Sequence, residues 1–306
     1  MNEKDNKVFE EEINLTRLFK DIYERRWIYS SLLIFIGVIS ALFLKSIPNE
    51  YVTNSVVSIK ESSSSNSMSG SLNGLGSALN PFNVFGSSMS SSRKGYVLRL
   101  LQSRNFFEYF VKQDNLFLVE LHAFKSYDNN INENLYEEDI YNEENSTWNP
   151  DYFIDNSPSL LLSHKKFLNY FSIEEKESLD NYLTLKVQHE SPIIAKKWLE
   201  NLISSFNTYV MEMEAEQANL SLKYLNSVIA ETNVPEVKGV IANLIKSQIK
   251  DLMITNVNDE YVLKIIDKPY MPEKKSYPNR LLYLIVIIFL SLFIFFIFSL
   301  IFPKKK

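Results

Sequence analysis

The sequence contains 306 residues and carries a formal net charge of −5 at pH 7. The negative charge argues against a nucleic-acid partner, because proteins that bind nucleic acids present clustered positive charge to the phosphates. The chain has no cysteine, which excludes disulfides and thiolate chemistry and leaves an oxidising compartment neither required nor excluded.

Residues 1–26 form a charged segment ahead of the first apolar run. Its apolar residues recur mostly every three or four positions and predict a short amphipathic helix: Ile13, Leu15, Leu18, Phe19, Ile22 and Tyr23. Residues 27–44 contain no charge and predict a transmembrane helix. A cleaved signal peptide is the alternative, because residues 39–41 resemble a small-residue cleavage site. The long charged lead-in and the length of the run favour an uncleaved anchor.

The next part of the chain mixes strand and helix patterns, so we expect an α+β domain. A β-branched run predicts a strand at residues 51–60, and apolar spacing predicts helices at 93–112 and 159–171. Residues 62–92 are rich in serine, glycine and asparagine, which predicts a loop that packs in part through its apolar side chains. The acidic residues 128–155 lack the glycine and spacing of a calcium loop. They predict a solvated loop.

Residues 182–189 alternate apolar and polar side chains, as in a half-buried strand. A long helix is predicted at residues 191–231, with Ser191 as the N-cap and Pro192 in the first position. Such a helix would reach roughly 60 Å. It carries an apolar stripe that is either core or, in part, a seam between neighbouring copies of the chain: Trp198, Leu202, Phe206, Val210 and Met213.

A proline at position 235 ends the long helix, and a return helix is predicted at residues 236–253. Residues 260–267 alternate again and predict a final strand. Residues 269–278 follow and contain three prolines, each of which fixes φ and removes a backbone donor. They predict a stiff, non-helical strut, or merely a spacer between domain and anchor: Pro269, Pro272 and Pro278.

Residues 281–302 form the second charge-free run. As a helix this run would reach roughly 33 Å, enough to cross a bilayer, whereas buried core helices are usually shorter and keep a polar stripe. Basic residues precede the first run and follow the second, so we expect residues 1–26 and 303–306 to lie in the cytoplasm, and the basic residues just before the second run belong to a long loop that is translocated largely regardless of charge. Residues 45–280 would then lie on the opposite side of the membrane.

We find no catalytic, cofactor-binding or metal-binding pattern. His122, His164 and His189 are far apart in sequence and lack metal-ligand spacing, so we expect surface or sheet-face histidines. There is no Gly-Lys-Ser/Thr phosphate loop and no nucleophile-elbow serine. The sequence therefore predicts a protein that is not an enzyme.

Three segments resemble one family. The first segment resembles the amino-terminal signature of that family and reads EEINLTRLFKDIYERRW. The second segment resembles the proline-rich stretch that precedes the second span in that family and reads SQIKDLMITNVNDEYVLKIIDKPYMPEKKSYPNR. The third segment lies in the middle of the chain and resembles the same family through three stretches, in the order WNPDYF, FLNYFSI and YLTLKVQHESPIIAKKWLENLI. With two anchors around them, these segments resemble the Wzz-type chain-length determinants, the polysaccharide co-polymerases of bacterial surface glycans.

This resemblance implies a multi-pass protein of the bacterial inner membrane, with a periplasmic α/β base domain and a long protruding helix. It implies a ring-shaped homo-oligomer that works with a Wzy-type membrane polymerase on a lipid-linked glycan and sets O-antigen chain length in lipopolysaccharide biosynthesis. Larger relatives carry a cytoplasmic tyrosine kinase, which we do not expect in residues 303–306. The alternatives are an export or kinase-coupled adaptor and a two-span sensory ectodomain.

Overall fold

A computed structural model describes six parts of the chain: residues 26–60, 90–128, 130–153, 157–175, 181–255 and 260–301. The amphipathic helix expected before residue 26 and most of the serine- and glycine-rich segment lie outside the described residues. The chain divides into two compact units, one formed by Met1–Asn49 with Ser276–Lys306 and the other by Glu50–Lys275.

The helices and strands follow one another along the chain in this order: α1 (Arg26–Ser46), β1 (Tyr51–Ile59), α2 (Ser90–Leu101), α3 (Arg104–Gln113), α4 (Phe117–His122), β2 (Phe124–Asp128), β3 (Glu133–Tyr136), β4 (Tyr141–Asn142), β5 (Thr147–Trp148), α5 (Leu160–Phe167), β6 (Phe171–Glu175), β7 (Tyr182–His189), α6 (Pro192–Glu231), α7 (Pro235–Thr255), β8 (Leu263–Asp267) and α8 (Arg280–Ile301).

The described part of the first unit contains helices α1 and α8, which pack against each other. Both are long and apolar enough to cross a membrane by length and composition. The rings of Tyr29 and Phe295 stack between them with centroids 5.4 Å apart. At their ends, the Arg280 guanidinium donates hydrogen bonds to the Ile47 carbonyl at 3.1 Å and to Asn49 Oδ1 at 3.0 Å. The two apolar helices that the sequence predicts are therefore present.

The second unit is built on an antiparallel sheet with the strand order β6-β7-β1-β8. β1 pairs with β7 from Tyr51 opposite His189 to Ser58 opposite Tyr182. Side chains alternate along both strands, and one face of the sheet is buried. The buried apolar residues of these two strands on this face are Tyr51, Val57, Ile59, Leu183, Leu185 and Val187.

Helix α6 covers the buried face of the sheet. It begins where the sequence predicts, since Ser191 Oγ accepts a hydrogen bond from Ile194 N at 3.3 Å and Pro192 occupies the first turn. The helix is 40 residues long. Its first half packs against β1, β7 and α3, and Phe206 meets Phe106 edge to face with centroids 5.0 Å apart. The core of this unit thus lies between the sheet and the first half of α6.

The single helix predicted at residues 93–112 is wrong, because the structure has two helices, α2 and α3. Ser103 separates them with an extended backbone, and its Oγ accepts a hydrogen bond from Phe106 N at 3.2 Å. An N-cap residue is not itself helical. The serine therefore begins a new helix at Arg104, which the apolar spacing alone does not show.

The solvated loop predicted at residues 128–155 is also wrong in part, because this region contains strand β3, which pairs with β2, and the hairpin β4–β5. Tyr141 and Trp148 pair directly across the second hairpin, with ring centroids 4.9 Å apart. Both pack with Val119 and Ala123 in a small apolar cluster. Cross-strand aromatic pairs stabilise short hairpins, and strands this short leave little periodicity to detect.

Two further elements differ from the prediction in their bounds. The helix predicted at residues 159–171 ends at Phe167, because Phe171 already pairs with Val187 in the sheet. The final strand begins later than predicted, at Leu263. At both boundaries, tertiary contacts decide whether a residue belongs to a helix, to a strand or to neither.

Candidate functional site

The first half of α6 contains the apolar stripe that the sequence singles out. Trp198, Leu202 and Phe206 are fully buried, Val210 is nearly so, and Met213 packs partly buried against the same core. These residues therefore pack within one copy of the chain. A seam between copies stays a prediction, and the large apolar side chains that α6 exposes lie farther along the helix.

The second half of α6 turns back into α7 and forms a helical hairpin. Its buried seam is formed by Leu225, Ile241 and Leu244. Outside the seam, Leu220 and Tyr224 on α6 are 57% and 62% exposed, and Ile249 and Met253 on α7 are 41% and 65% exposed. Each pair is four residues apart and shares one face of its helix. We call these four the exposed hairpin residues; exposed apolar side chains of this kind are typical of interaction surfaces.

The proline segment continues from β8 beside β1. Residues 268–276 form neither helix nor strand, in agreement with the non-helical segment expected there. Two buried hydroxyls of β1 donate to its backbone, Ser55 Oγ to the Asp267 carbonyl at 2.6 Å and Thr53 Oγ1 to the Tyr270 carbonyl at 2.7 Å. These hydrogen bonds attach the start of the segment to the sheet.

The three prolines are buried, whereas most side chains between them are exposed. Pro269 and Pro272 belong to the second unit and Pro278 to the first. The peptide bond before Pro278 is cis. The role of these prolines as a strut stays a prediction.

A buried charged cluster joins α6 to α4 and to the end of α3. Lys197 Nζ lies 2.8 Å from Glu120 Oε1 and 3.1 Å from Asp114 Oδ2. Trp198 Nε1 donates to Glu120 Oε2 at 2.6 Å, and Asn201 Nδ2 donates to Asp114 Oδ2 at 3.1 Å. Glu120 is only 4% exposed. Burial raises the pKa of the Glu120 carboxyl, and its donors Lys197 and Trp198 oppose that rise.

His189 lies at the end of β7, among the rings of Phe124, Tyr170 and Trp198. Its Nδ1 accepts a hydrogen bond from Ser191 N at 2.9 Å. Burial, assisted by the charge of Lys166, lowers the pKa of His189 to about 3. The neutral ring therefore supports the start of α6 from the buried face of the sheet.

His164 differs from the expected surface or sheet-face position, because it is buried on helix α5 beside Phe107. Its Nε2 lies 3.0 Å from the Gln102 carbonyl oxygen. In the described parts of the chain, no three His, Cys, Asp or Glu side chains come close enough to hold a metal ion.

His122 belongs to a cluster that sequence spacing does not reveal. Its Nε2 lies 2.8 Å from Ser163 Oγ, and its ring centroid is 6.5 Å from that of Trp148 and 5.8 Å from that of Phe153. Burial, assisted by the charge of Lys166, lowers the pKa of His122 to about 4. We call Lys166, His122, Ser163, Trp148 and Phe153 the Lys166 cluster. Their positions in three separate segments explain why the sequence alone does not bring them together.

No protein-family model matches the chain, and no curated protein matches it significantly. Solved structures of polysaccharide co-polymerases are similar to it. One is a full-length bacterial polysaccharide co-polymerase with 10% identity and a TM-score of 0.35, covering 90% of this chain and 93% of its own. Another is a fragment of WzzB, a polysaccharide co-polymerase from Salmonella Typhimurium, with 10% identity and a TM-score of 0.29, covering 75% of this chain and all of its own.

Proposed function

We propose that this protein is a non-enzymatic scaffold of the bacterial inner membrane that regulates the chain length of an O-antigen-like surface polysaccharide. The observation that carries the proposal is the order of the elements along the chain, in which the apolar helix α1 precedes and the apolar helix α8 follows an α+β domain that includes a long helical hairpin. The sequence resemblance to Wzz-type chain-length determinants is the reason for assigning chain-length regulation to this arrangement.

The α+β domain lies in the periplasm. Two spans bring both flanking segments to the same side of the membrane, and their basic residues favour the cytoplasm. Long loops are translocated largely irrespective of their own charge. The lysines between β8 and α8 therefore do not reverse this orientation.

Copies of the chain assemble into a ring through their helical hairpins. The exposed hairpin residues support this step, because a neighbouring copy would remove Leu220, Tyr224, Ile249 and Met253 from water. The assembly then holds a Wzy-type polymerase or its lipid-linked glycan until the polymer reaches a set length. The protein supplies geometry and contacts, and the polymerase supplies the chemistry.

The experiment compares the surface-polysaccharide ladder on a gel from cells with and without the gene. We expect the deletion to replace a clustered length distribution by a short, steadily decaying one, and a plasmid copy to restore the cluster. Complete loss of the polymer would instead indicate a part of the synthesis or export machinery. An unchanged ladder would contradict the proposal and favour the two-span sensory ectodomain.

A further inference from the structure

Lys166 is a half-buried cation on helix α5. It follows Ser163 by one helical turn, so the two side chains share the face that meets His122. Within the described residues, Lys166 has no ion pair, whereas Lys197 contacts two carboxylates and Lys94 lies 2.9 Å from Glu175. Charged side chains that leave water are normally paired. Among the described residues, no carboxylate therefore pairs with this positive charge.

The two histidines whose pKa values this charge affects do not offset it. Burial lowers the pKa of Lys166, and its positive charge contributes to the lowered pKa values of His122 and His189. Both rings are therefore neutral at pH 7. An anion that approaches Lys166 would meet its ammonium group near the uncharged imidazole of His122, since His189 is buried.

His122 also offers a hydrogen-bond acceptor. Ser163 Oγ donates to the Ser159 carbonyl at 2.8 Å, so the same hydroxyl accepts the proton of His122 Nε2. The remaining ring nitrogen, Nδ1, then carries a lone pair, and none of the described residues donates to it. A hydroxyl group of a ligand would be a suitable donor.

Aromatic rings lie next to these polar groups. Trp148 and Phe153 are both partly exposed and meet edge to face with centroids 5.3 Å apart. Partly exposed aromatic rings present an apolar surface beside polar groups, and a sugar ring has one face made largely of C–H groups. Sites of this kind combine apolar contact with a few polar groups that orient the ligand.

We propose that the Lys166 cluster binds an anionic sugar, that is, a saccharide unit that carries a carboxylate or a phosphate. Lys166 binds the anionic group, His122 Nδ1 accepts from a ring hydroxyl, and Trp148 packs against the C–H face. The inference deepens the proposed function, on which the choice of a saccharide among anionic ligands rests. It assigns a glycan-binding site to the α+β domain itself.

The experiment uses the full chain in nanodiscs of uncharged lipid and isothermal titration calorimetry. Glucuronate and glucose 1-phosphate test the two anionic groups, glucose tests the neutral ring, and inorganic phosphate tests the anion alone. We expect at least one anionic sugar to bind, and both glucose and inorganic phosphate to bind at least about tenfold more weakly.

Lys165 provides the matched control, since it is the exposed neighbour of Lys166. K166Q should weaken binding of the anionic sugar about tenfold, K165Q should leave it unchanged, and K166R should retain most of it. W148A should reduce the affinity for the sugar to that for inorganic phosphate. Near-UV circular dichroism identifies any variant that fails to fold, and K166R then tests the charge in a folded protein.

Equal effects of K165Q and K166Q, or equal binding of glucose and the anionic sugars, would overturn the inference. So would the failure of both anionic sugars to bind. A chain-length ladder that still depends on the gene in such a case would leave the proposed function standing. Conversely, the ladder could be unchanged by the deletion while sugar binding still depends on Lys166. That result would contradict the proposed function and leave the sugar site standing.

Discussion

Asn207 in the middle of α6 binds the backbone of Leu263 at the start of β8 through both ends of its amide. Its Nδ2 donates to the Leu263 carbonyl at 3.0 Å, and its Oδ1 accepts from Leu263 N at 2.8 Å and from Val262 N at 2.9 Å. Asn207 is only 3% exposed. The chain leaves the sheet region along α6 and returns after α7, so this side chain determines where the returning strand attaches.

We expect N207A to be strongly destabilising, because it leaves two backbone N–H groups and one carbonyl buried without partners. The free energy of unfolding should fall by about 2–4 kcal/mol. N219A is the matched control, since Asn219 is exposed on the same helix, and it should change the free energy by less than about 0.5 kcal/mol. Chemical denaturation in detergent measures both, and similar values for the two variants would contradict this role.

The buried carboxylate of Glu120 should matter far more than an exposed one. E120A leaves Trp198 Nε1 without its acceptor and removes one of the two carboxylates around Lys197. We expect a loss of about 3 kcal/mol. Glu108 pairs with Lys112 on the exposed side of α3, so E108A should cost less than about 0.5 kcal/mol. Thermal unfolding compares the two, and an E120A melting temperature close to that of E108A would refute the prediction.

Stability should fall as the pH decreases from about 6.5 toward 4. The folded-state pKa values of His122 and His189 are lowered to about 4 and about 3, whereas an unfolded histidine titrates near about 6.5. In this window the unfolded chain binds protons that the folded chain does not, so acid favours unfolding. Melting temperatures between pH 7.5 and 5.5 test this prediction. H122Q should show a shallower decrease than the wild type, and an unchanged slope would count against it.

The exposed hairpin residues should affect assembly and not folding. L220N with Y224N places polar groups where two apolar side chains are exposed, so we expect an unchanged melting temperature and a smaller assembly by mass photometry. Leu225 lies in the buried seam of the same hairpin. L225N should therefore destabilise the hairpin itself, by about 2–4 kcal/mol. Full-size assemblies of the L220N/Y224N protein would argue against the hairpin as the contact between copies.

The proline segment should influence polymer length. Replacing Pro269, Pro272 and Pro278 together by alanine frees φ at three positions and removes buried rings. We expect a broader length distribution on the gel with the protein still in the membrane fraction. Pro150 is exposed in the acidic region, so P150A should leave the distribution unchanged. An unaltered ladder from the triple variant would show that the prolines are a spacer.

Sequence patterns correctly predict those helices and strands that depend on residues adjacent in the sequence. The cap at Ser191 with Pro192 correctly predicts the start of α6, and the alternation from residue 182 correctly predicts β7 and its buried face. Ser103 could have been recognised as a cap as well, but apolar residues continue at helical spacing across it and hide the break. The contacts of the histidines join distant parts of the chain, so their spacing in the sequence does not predict them.

The sequence by itself determined the two apolar helices, the α+β pattern between them and the length of α6, because these depend on runs, periods and breakers within a few turns of chain. Only the tertiary structure decided that Asn207 bonds the backbone of Leu263, that Glu120 lies between Lys197 and Trp198, and that His122 meets Ser163 and Trp148. Those contacts join residues from distant parts of the chain. Their chemistry depends on burial and distance, which no local pattern specifies.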